Sequence, residues 1–190
     1  VFGSARVAPG TPDYELGVEV GRRIAQAGYP VITGGGPGHM AAANQGAREA
    51  GGLSVGLPIS LPFEEAANRF IDREVEFENF FTRKTVFIRY SCAFVGLPGG
   101  FGTLDELFEA ITLVQMGKIR DFPIVLVGTA YWAGLVEWIR GTMLPAGRIS
   151  PGDLDILTVT DDLDAMIAAI ADCYDGQSEH VVVAERAAQP

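Results

Sequence analysis

Five short apolar runs punctuate the chain, at Pro30–Thr33, Leu53–Leu57, Ala93–Leu97, Pro123–Val127 and Ile156–Val159. They are rich in Val, Ile and Leu and do not alternate with polar residues, the pattern of strands buried on both faces of a parallel sheet. Helix-like segments lie between them, over Tyr14–Ala27, Gly38–Ala50, Phe81–Ser91, Thr103–Met116, Tyr131–Thr142 and Asp162–Tyr174. This alternation predicts an α/β fold, a doubly wound, Rossmann-like parallel sheet flanked by helices. Val1–Ser4 reads as the end of a strand already under way, so the first strand is expected to begin upstream. The stretch Ser60–Asn79 is charged and has no clean period. It reads as a loop with one short helix and an edge strand near Val75–Phe77. With no internal repeat and no linker, the expectation is a single domain over residues 1–176, followed by an appended tail, 177–190.

In an open α/β sheet, ligands bind where strands end and helices begin. Two such turns are glycine-rich here: Thr33-Gly34-Gly35-Gly36-Pro37-Gly38 and Pro98-Gly99-Gly100-Phe101-Gly102-Thr103. Each follows a predicted buried strand. Glycine lets backbone approach a ligand closely, and the helix that follows aims free N–H groups at the turn. One glycine-rich turn is often only a tight connection; two at strand ends favour a built anion site. Neither turn continues as Gly-Lys-Ser/Thr, and neither is GxGxxG with an acidic residue ending the next strand, which disfavours ATP hydrolysis and NAD binding.

Composition sharpens this reading. The formal net charge is −10. A general nucleic-acid binder neutralises many phosphates with Lys and Arg, so that class is disfavoured. A phosphorylated ligand would have to be held by backbone N–H groups and a few local arginines. No apolar stretch is long enough to span a bilayer, and Val1–Ser4 lacks a signal peptide's pattern. Cys92 and Cys173 stand in no metal-ligand spacing, and His39 and His180 are too scattered for zinc. The expectation is a cytoplasmic protein with no metal, no cofactor, no nucleic-acid partner and no membrane partner.

Two side chains near the turns carry candidate chemistry. Thr103-Leu104-Asp105-Glu106 fits a capping box, with Thr103 at the N-cap and Glu106 three residues on. The competing reading turns Glu106 toward a ligand from the first helical turn. Asp105 lies about 100° away around the helix, and Glu109 falls on the Asp105 face. On the helix Phe81–Ser91, Phe80, Arg83, Phe87 and Tyr90 form one line. An arginine amid three aromatics either snorkels past them or meets an anion or a stacked base. Lys84 points elsewhere and reads as a rim charge.

The run Pro98 to Glu106 resembles the PGGxGTxxE motif of the Lonely Guy family, and Phe80-Phe81-Thr82-Arg83-Lys84 resembles its upstream Arg-Lys element. Phe2-Gly3-Ser4-Ala5-Arg6 and Gly34-Gly35-Gly36-Pro37-Gly38-His39-Met40 are similar to further family blocks. The resemblance runs to about Tyr174 and is nearest the longer bacterial, type II subgroup. It implies a cytokinin riboside 5′-monophosphate phosphoribohydrolase, which cleaves AMP or N6-substituted AMPs into free base and ribose 5-phosphate, and assembly as a homodimer or larger homo-oligomer. By position it implies Arg83 and Glu106 as the catalytic pair. Pro98, Gly99, Gly100, Gly102 and Thr103 would surround the phosphate. Ser4, Gly35 and Gly36 would line the other wall, with Met40 and Lys84 among the substrate contacts. Relatives are often labelled lysine decarboxylases, but Lys84 and Lys118 are the chain's only lysines. A pyridoxal-phosphate enzyme needs a Schiff-base lysine. Three positions depart from the family pattern: Ala41 for a Glu, Phe87 for a Met and Cys92 for an Asp. The rival readings are a non-catalytic nucleotide sensor or carrier, and a phosphoribohydrolase for another base.

Overall fold

The computed structural model describes residues 1–60 and 67–172. The tail 177–190, Cys173, His180 and any short helix within 61–66 lie outside them. Along the chain run α1 (Pro12–Gln26), β1 (Val31–Thr33), α2 (His39–Glu49), β2 (Ser54–Gly56), β3 (Arg73–Glu74), α3 (Phe80–Arg89), β4 (Phe94–Gly96), α4 (Phe101–Gln115), β5 (Ile124–Val127), α5 (Thr129–Trp138) and β6 (Leu157–Thr160). A further helix, α6, covers residues 163–172. The architecture is α/β, with parallel strands and intervening helices, as the alternating pattern predicts. No helix among the described residues is long and apolar enough to cross a membrane.

The chain divides into two compact units, Val1–Ser91 with Val95–Leu107, and Cys92–Phe94 with Phe108–Pro190. In the first unit β1, β2 and β3 pair in that order, all parallel. The Val1 nitrogen donates to the Ile32 carbonyl at 2.7 Å. Phe2 then bridges Gly96 in parallel, its N–H donating to Val95 and its carbonyl accepting from Leu97. The N-terminal residues therefore lie between β1 and β4. Leu57, Phe77 and Phe87 form a buried cluster, with Phe2, Ile32, Val55 and Val86 packed against it. Local capping agrees with sequence. Thr11 accepts from the Tyr14 N–H at the start of α1, and Asn79 accepts from the Thr82 N–H at the start of α3. Each side-chain oxygen satisfies one of the donors a helix start leaves unpaired.

The edge strand falls earlier than expected. β3 is Arg73–Glu74, whereas Phe77 makes only an isolated bridge with Ile59. Phe77 is held by burying its ring in the Leu57–Phe87 cluster rather than by a ladder. In the second unit the sheet order is β4-β5-β6, with Phe94 of β4 on this side of the division. Ile124 to Val127 are all buried, as a continuous apolar run predicts for a central strand. β6 starts at Leu157 because Pro151–Ile156 is a 3₁₀ turn, closed by a capping box between Ser150 and Asp153.

Candidate active site

The first unit contains a topological switch point. From the N-terminal residues the sheet proceeds through β1 to β3 on one side and to β4 on the other. Loops leaving the carboxyl ends of strands on either side of such a point diverge and leave a crevice. Ser4, the turn at Gly34–Gly38 and the turn at Pro98–Thr103 are the three loops at this one.

The turn after β1 is braced by buried amides. Asn44 of α2 is fully buried. Its Oδ1 accepts from Thr33 Oγ1 at 2.6 Å and Asn68 Nδ2 at 3.0 Å, and its Nδ2 donates to Ser54 Oγ at 2.8 Å. Thr33 Oγ1 accepts from the Gly35 N–H, and Asn68 Nδ2 reaches the carbonyls of Gly35 and Gly36. The Gly35 N–H and the Gly35 and Gly36 carbonyls are thus bonded to fixed side chains, which holds the turn's shape before any ligand arrives. Met40 covers it from outside: a Cβ on Gly34 or Gly36 would lie 2.8 Å from Met40 Sδ or Cε respectively. Neither Asn44 nor Asn68 stood out in the sequence. Asn44 did offer a signal, an amide amid Ala41, Ala42, Ala43 and Ala47 on a buried helical face. Such a residue costs stability unless it is bonded. Ala41 is itself buried on this face.

His39 joins the three loops. Its ring is fully buried. Nδ1 accepts from the Ser4 N–H at 3.1 Å, and Nε2 lies 3.0 Å from the Asp13 carbonyl. The ring must therefore be neutral with its proton on Nε2. The Ser4 N–H also reaches the Pro98 carbonyl at 3.0 Å, and the His39 N–H donates to the Ser4 carbonyl at 2.9 Å. Gly38, at φ 66°, turns the chain there, and any Cβ on it would fall on the Ser4 carbonyl oxygen. Burial lowers the His39 pKa below its ordinary 6.5, opposed in part by the Asp13 and Pro98 carbonyls. Below pH 6.5 the unfolded chain then binds more protons than the folded one. The His39 contribution to stability is complete above pH 6.5 and is lost as pH falls toward the lower folded value. Urea midpoints at pH 7.5 and 5.0 should differ less for His39→Gln than for the unsubstituted protein, by up to about 1.4 kcal/mol per pH unit within that window.

The turn after β4 corrects one expectation. α4 begins at Phe101, not Thr103, and the Leu104 N–H donates to the Gly100 carbonyl at 3.0 Å. Gly100 thus stands at the N-cap, and Thr103 lies buried inside the first turn, its side chain turned back on Gly99. A Cβ on Gly99 would fall on Thr103 Oγ1, so this close approach requires glycine. Glu106 is the sixth residue of the helix, too far along to close a capping box. The Gly-Gly pair makes the turn by itself, which leaves the first turn without an acidic residue.

Lys84 is not a rim charge. Its side chain is 17 % exposed, and its Nζ lies 2.6 Å from Asp105 Oδ2 and 3.7 Å from Glu106 Oε2. Glu106 is 15 % exposed and Asp105 63 %. Although the two carboxylates point in different directions from α4, one ammonium reaches both. Arg83 turns toward the other glycine turn. Its Nε donates to the Leu57 carbonyl at 2.8 Å, and a Cβ on Gly34 would fall on its Nη2. Its guanidinium carbon sits 5.4 Å from the Phe87 ring centroid. Of the aromatic line only Phe87 is buried beneath it, while Phe80 and Tyr90 are exposed. Phe87 belongs to the core cluster, as a platform for Arg83. Adjacent residues of α3 therefore reach the two glycine turns, Arg83 the first and Lys84 the helix that follows the second.

In the second unit the N-terminus of α5 carries an anion supplied by the chain itself. The Thr129 N–H donates to Asp161 Oδ1 at 2.8 Å, and the Thr129 hydroxyl donates to Asp161 Oδ2. These bonds hold the Asp161 carboxyl below its usual range. Burial pushes the Cys92 thiol up, which suits an inert thiol.

Residues 40–170 match the model of a family described as "Possible lysine decarboxylase". The chain is 38% identical over 160 residues to a cytokinin riboside 5′-monophosphate phosphoribohydrolase of Mycobacterium tuberculosis, covering 83% of this chain and 84% of that protein. It is 35% identical over 167 residues to the protein of the same name from Mycobacterium marinum, covering 86% and 89%. Among solved structures it is similar to TM1055, a structural-genomics target, with a TM-score of 0.67 at 28% identity, covering 90% of this chain and 96% of that one. It is also similar to the molybdenum cofactor carrier protein of Chlamydomonas reinhardtii, with a TM-score of 0.66 at 25% identity, covering 92% and 94%. The decarboxylase description does not fit the residues. Of the two lysines, Lys84 is held against Asp105 and Lys118 is exposed beyond the end of α4. Neither is set to form a Schiff base with pyridoxal phosphate.

Proposed function

Because this chain belongs to the Lonely Guy family of cytokinin riboside 5′-monophosphate phosphoribohydrolases, we propose that it hydrolyses the N-glycosidic bond of AMP or N6-substituted AMPs, releasing free base and ribose 5-phosphate. One observation carries the reading. Glu106, a largely covered carboxylate, stands on the helix that the Gly99-Gly100 turn starts, at a switch point whose opposite turn is braced and reached by Arg83. A glycine-cradled helix start with no acid in its first turn suits a 5′-phosphate, in a protein whose net charge is −10. Pro98, Gly99, Gly100, Gly102 and Thr103 are assigned to that end. Ser4, Gly35, Gly36 and Met40 are assigned to the facing wall.

Glycosidic cleavage passes through an oxocarbenium-like ribose. The Glu106 carboxylate stabilises that cation and accepts a proton from the attacking water. The water oxygen bonds to C1′ as the bond from C1′ to the base nitrogen breaks with its electron pair, and the departing base takes up a proton. Arg83 has too high a pKa to be the acid, so its role is to orient Glu106 and to hydrogen-bond or stack on the base. The phosphate clamp supplies positioning. Assembly into at least a homodimer belongs to the same reading.

Incubation with AMP, N6-isopentenyl-AMP, GMP and CMP, followed by chromatography for free base, tests it. Release of adenine or N6-isopentenyladenine, together with ribose 5-phosphate, is the expected result. Tight nucleotide binding without base release would make the protein a carrier, as the Chlamydomonas neighbour is named for its molybdenum cofactor.

A further inference from the structure

Lys84 is placed unequally between two neighbouring carboxylates. At 2.6 Å its bond to Asp105 is a close charge-assisted contact, whereas 3.7 Å to Glu106 is beyond hydrogen-bond reach. Two opposed demands meet here. A cation near Glu106 keeps the carboxylate ionised, as a base acting on water requires. The Lys84 ammonium bonded directly to it would weaken it as a base, because proton-accepting power falls as the carboxyl becomes more acidic. Distance decides between these effects, and Asp105 sets the distance.

We infer that Asp105 is a positioning residue, which draws the Lys84 ammonium off Glu106 and so preserves the proton-accepting power of the proposed catalytic carboxylate. This rests on Glu106 being the base. Asp105 suits the part because its exposed side chain meets Lys84 from the position next to Glu106 on α4. The charged groups near Glu106 include Lys84 from α3, with Arg83 beside it on the same helix, and Asp105 and Glu109 on α4 itself. Removing the Asp105 charge lets Lys84 move closer to Glu106. Removing the Lys84 charge leaves Glu106 beside an uncompensated Asp105.

The test is the pH dependence of kcat/KM for base release from AMP, or from the best substrate of the panel above, with melting temperatures measured alongside. Asp105→Asn should move the acid limb down by about one pH unit, the low end of what a nearby opposite charge does, and lower the plateau several-fold. Lys84→Gln should move the limb the opposite way, and Lys84→Arg should return it toward the unsubstituted profile. A purely structural salt bridge would change melting and leave the limb in place. If Asp105→Asn and Lys84→Gln both keep the original limb while Glu106→Gln is inactive, the inference fails and the catalytic reading stands. If Glu106→Gln turns over normally, the catalytic reading fails and this inference fails with it.

Discussion

Glu106→Gln is expected to lower kcat at least ~100-fold, the low end for losing a general base, while nucleotide binding stays within a few-fold. The substitution keeps the shape and removes only the charge and the proton acceptor. Since Glu106 stands in the second turn of α4 rather than at a capping position, no helix start depends on it. The melting temperature should therefore move little. Lys84 loses a neighbour at 3.7 Å but keeps Asp105 at 2.6 Å, so its own charge stays paired. Isothermal titration with AMP, thermal melting and the base-release assay on one preparation read all three quantities. A variant that melts early yet turns over when folded would assign Glu106 to structure instead of chemistry.

Asn44→Ala is expected to have the largest effect on stability. The amide accepts from Thr33 and Asn68 and donates to Ser54 and to the Val55 carbonyl. Thr33 and Ser54 are fully buried, so their hydroxyls lose a partner without gaining water. Stranding several such groups should cost about 3 kcal/mol. For a chain of this size that is a fall of about 6–12 °C in melting temperature. Because Thr33 and Asn68 also hold Gly35 and Gly36, KM should rise more than kcat falls wherever the fold persists. Urea midpoints and steady-state kinetics check the two parts separately. An unchanged KM would mean that the Gly34–Gly38 turn keeps its shape without the buried network.

Much of the candidate site is legible in the sequence. The two glycine turns were visible because a buried parallel strand is a continuous apolar run, and because two glycine clusters at strand ends favour a built anion site over mere tight connections. Arg83 was visible as a charge among aromatics. The aromatics themselves divided differently from that pattern. Phe87 enters the core while Phe80 and Tyr90 remain exposed, because a line along a helix does not say which of its members faces a neighbouring element. Asn68 gave no signal, lying in a charged stretch without a period. Its role exists only because the chain returns to Gly35 from 33 residues away.

The chain's sequence alone determined the α/β class, the strand-end turns and the candidacy of Arg83 and Glu106. These follow from local periodicity, turn chemistry and motif spacing, which depend on near neighbours in the chain. Tertiary structure decided the rest. Where α4 starts separated a capping glutamate from one standing in the second turn. The meeting of α3 with α4 turned Lys84 from an expected rim charge into the shared partner of Asp105 and Glu106. Burial of His39, Asn44 and Thr33 made loop braces of residues that look ordinary in sequence. The physical reason is common to all three. Burial, hydrogen-bond satisfaction and charge pairing depend on distances between segments far apart in the chain, and those distances exist only once the sheet has formed.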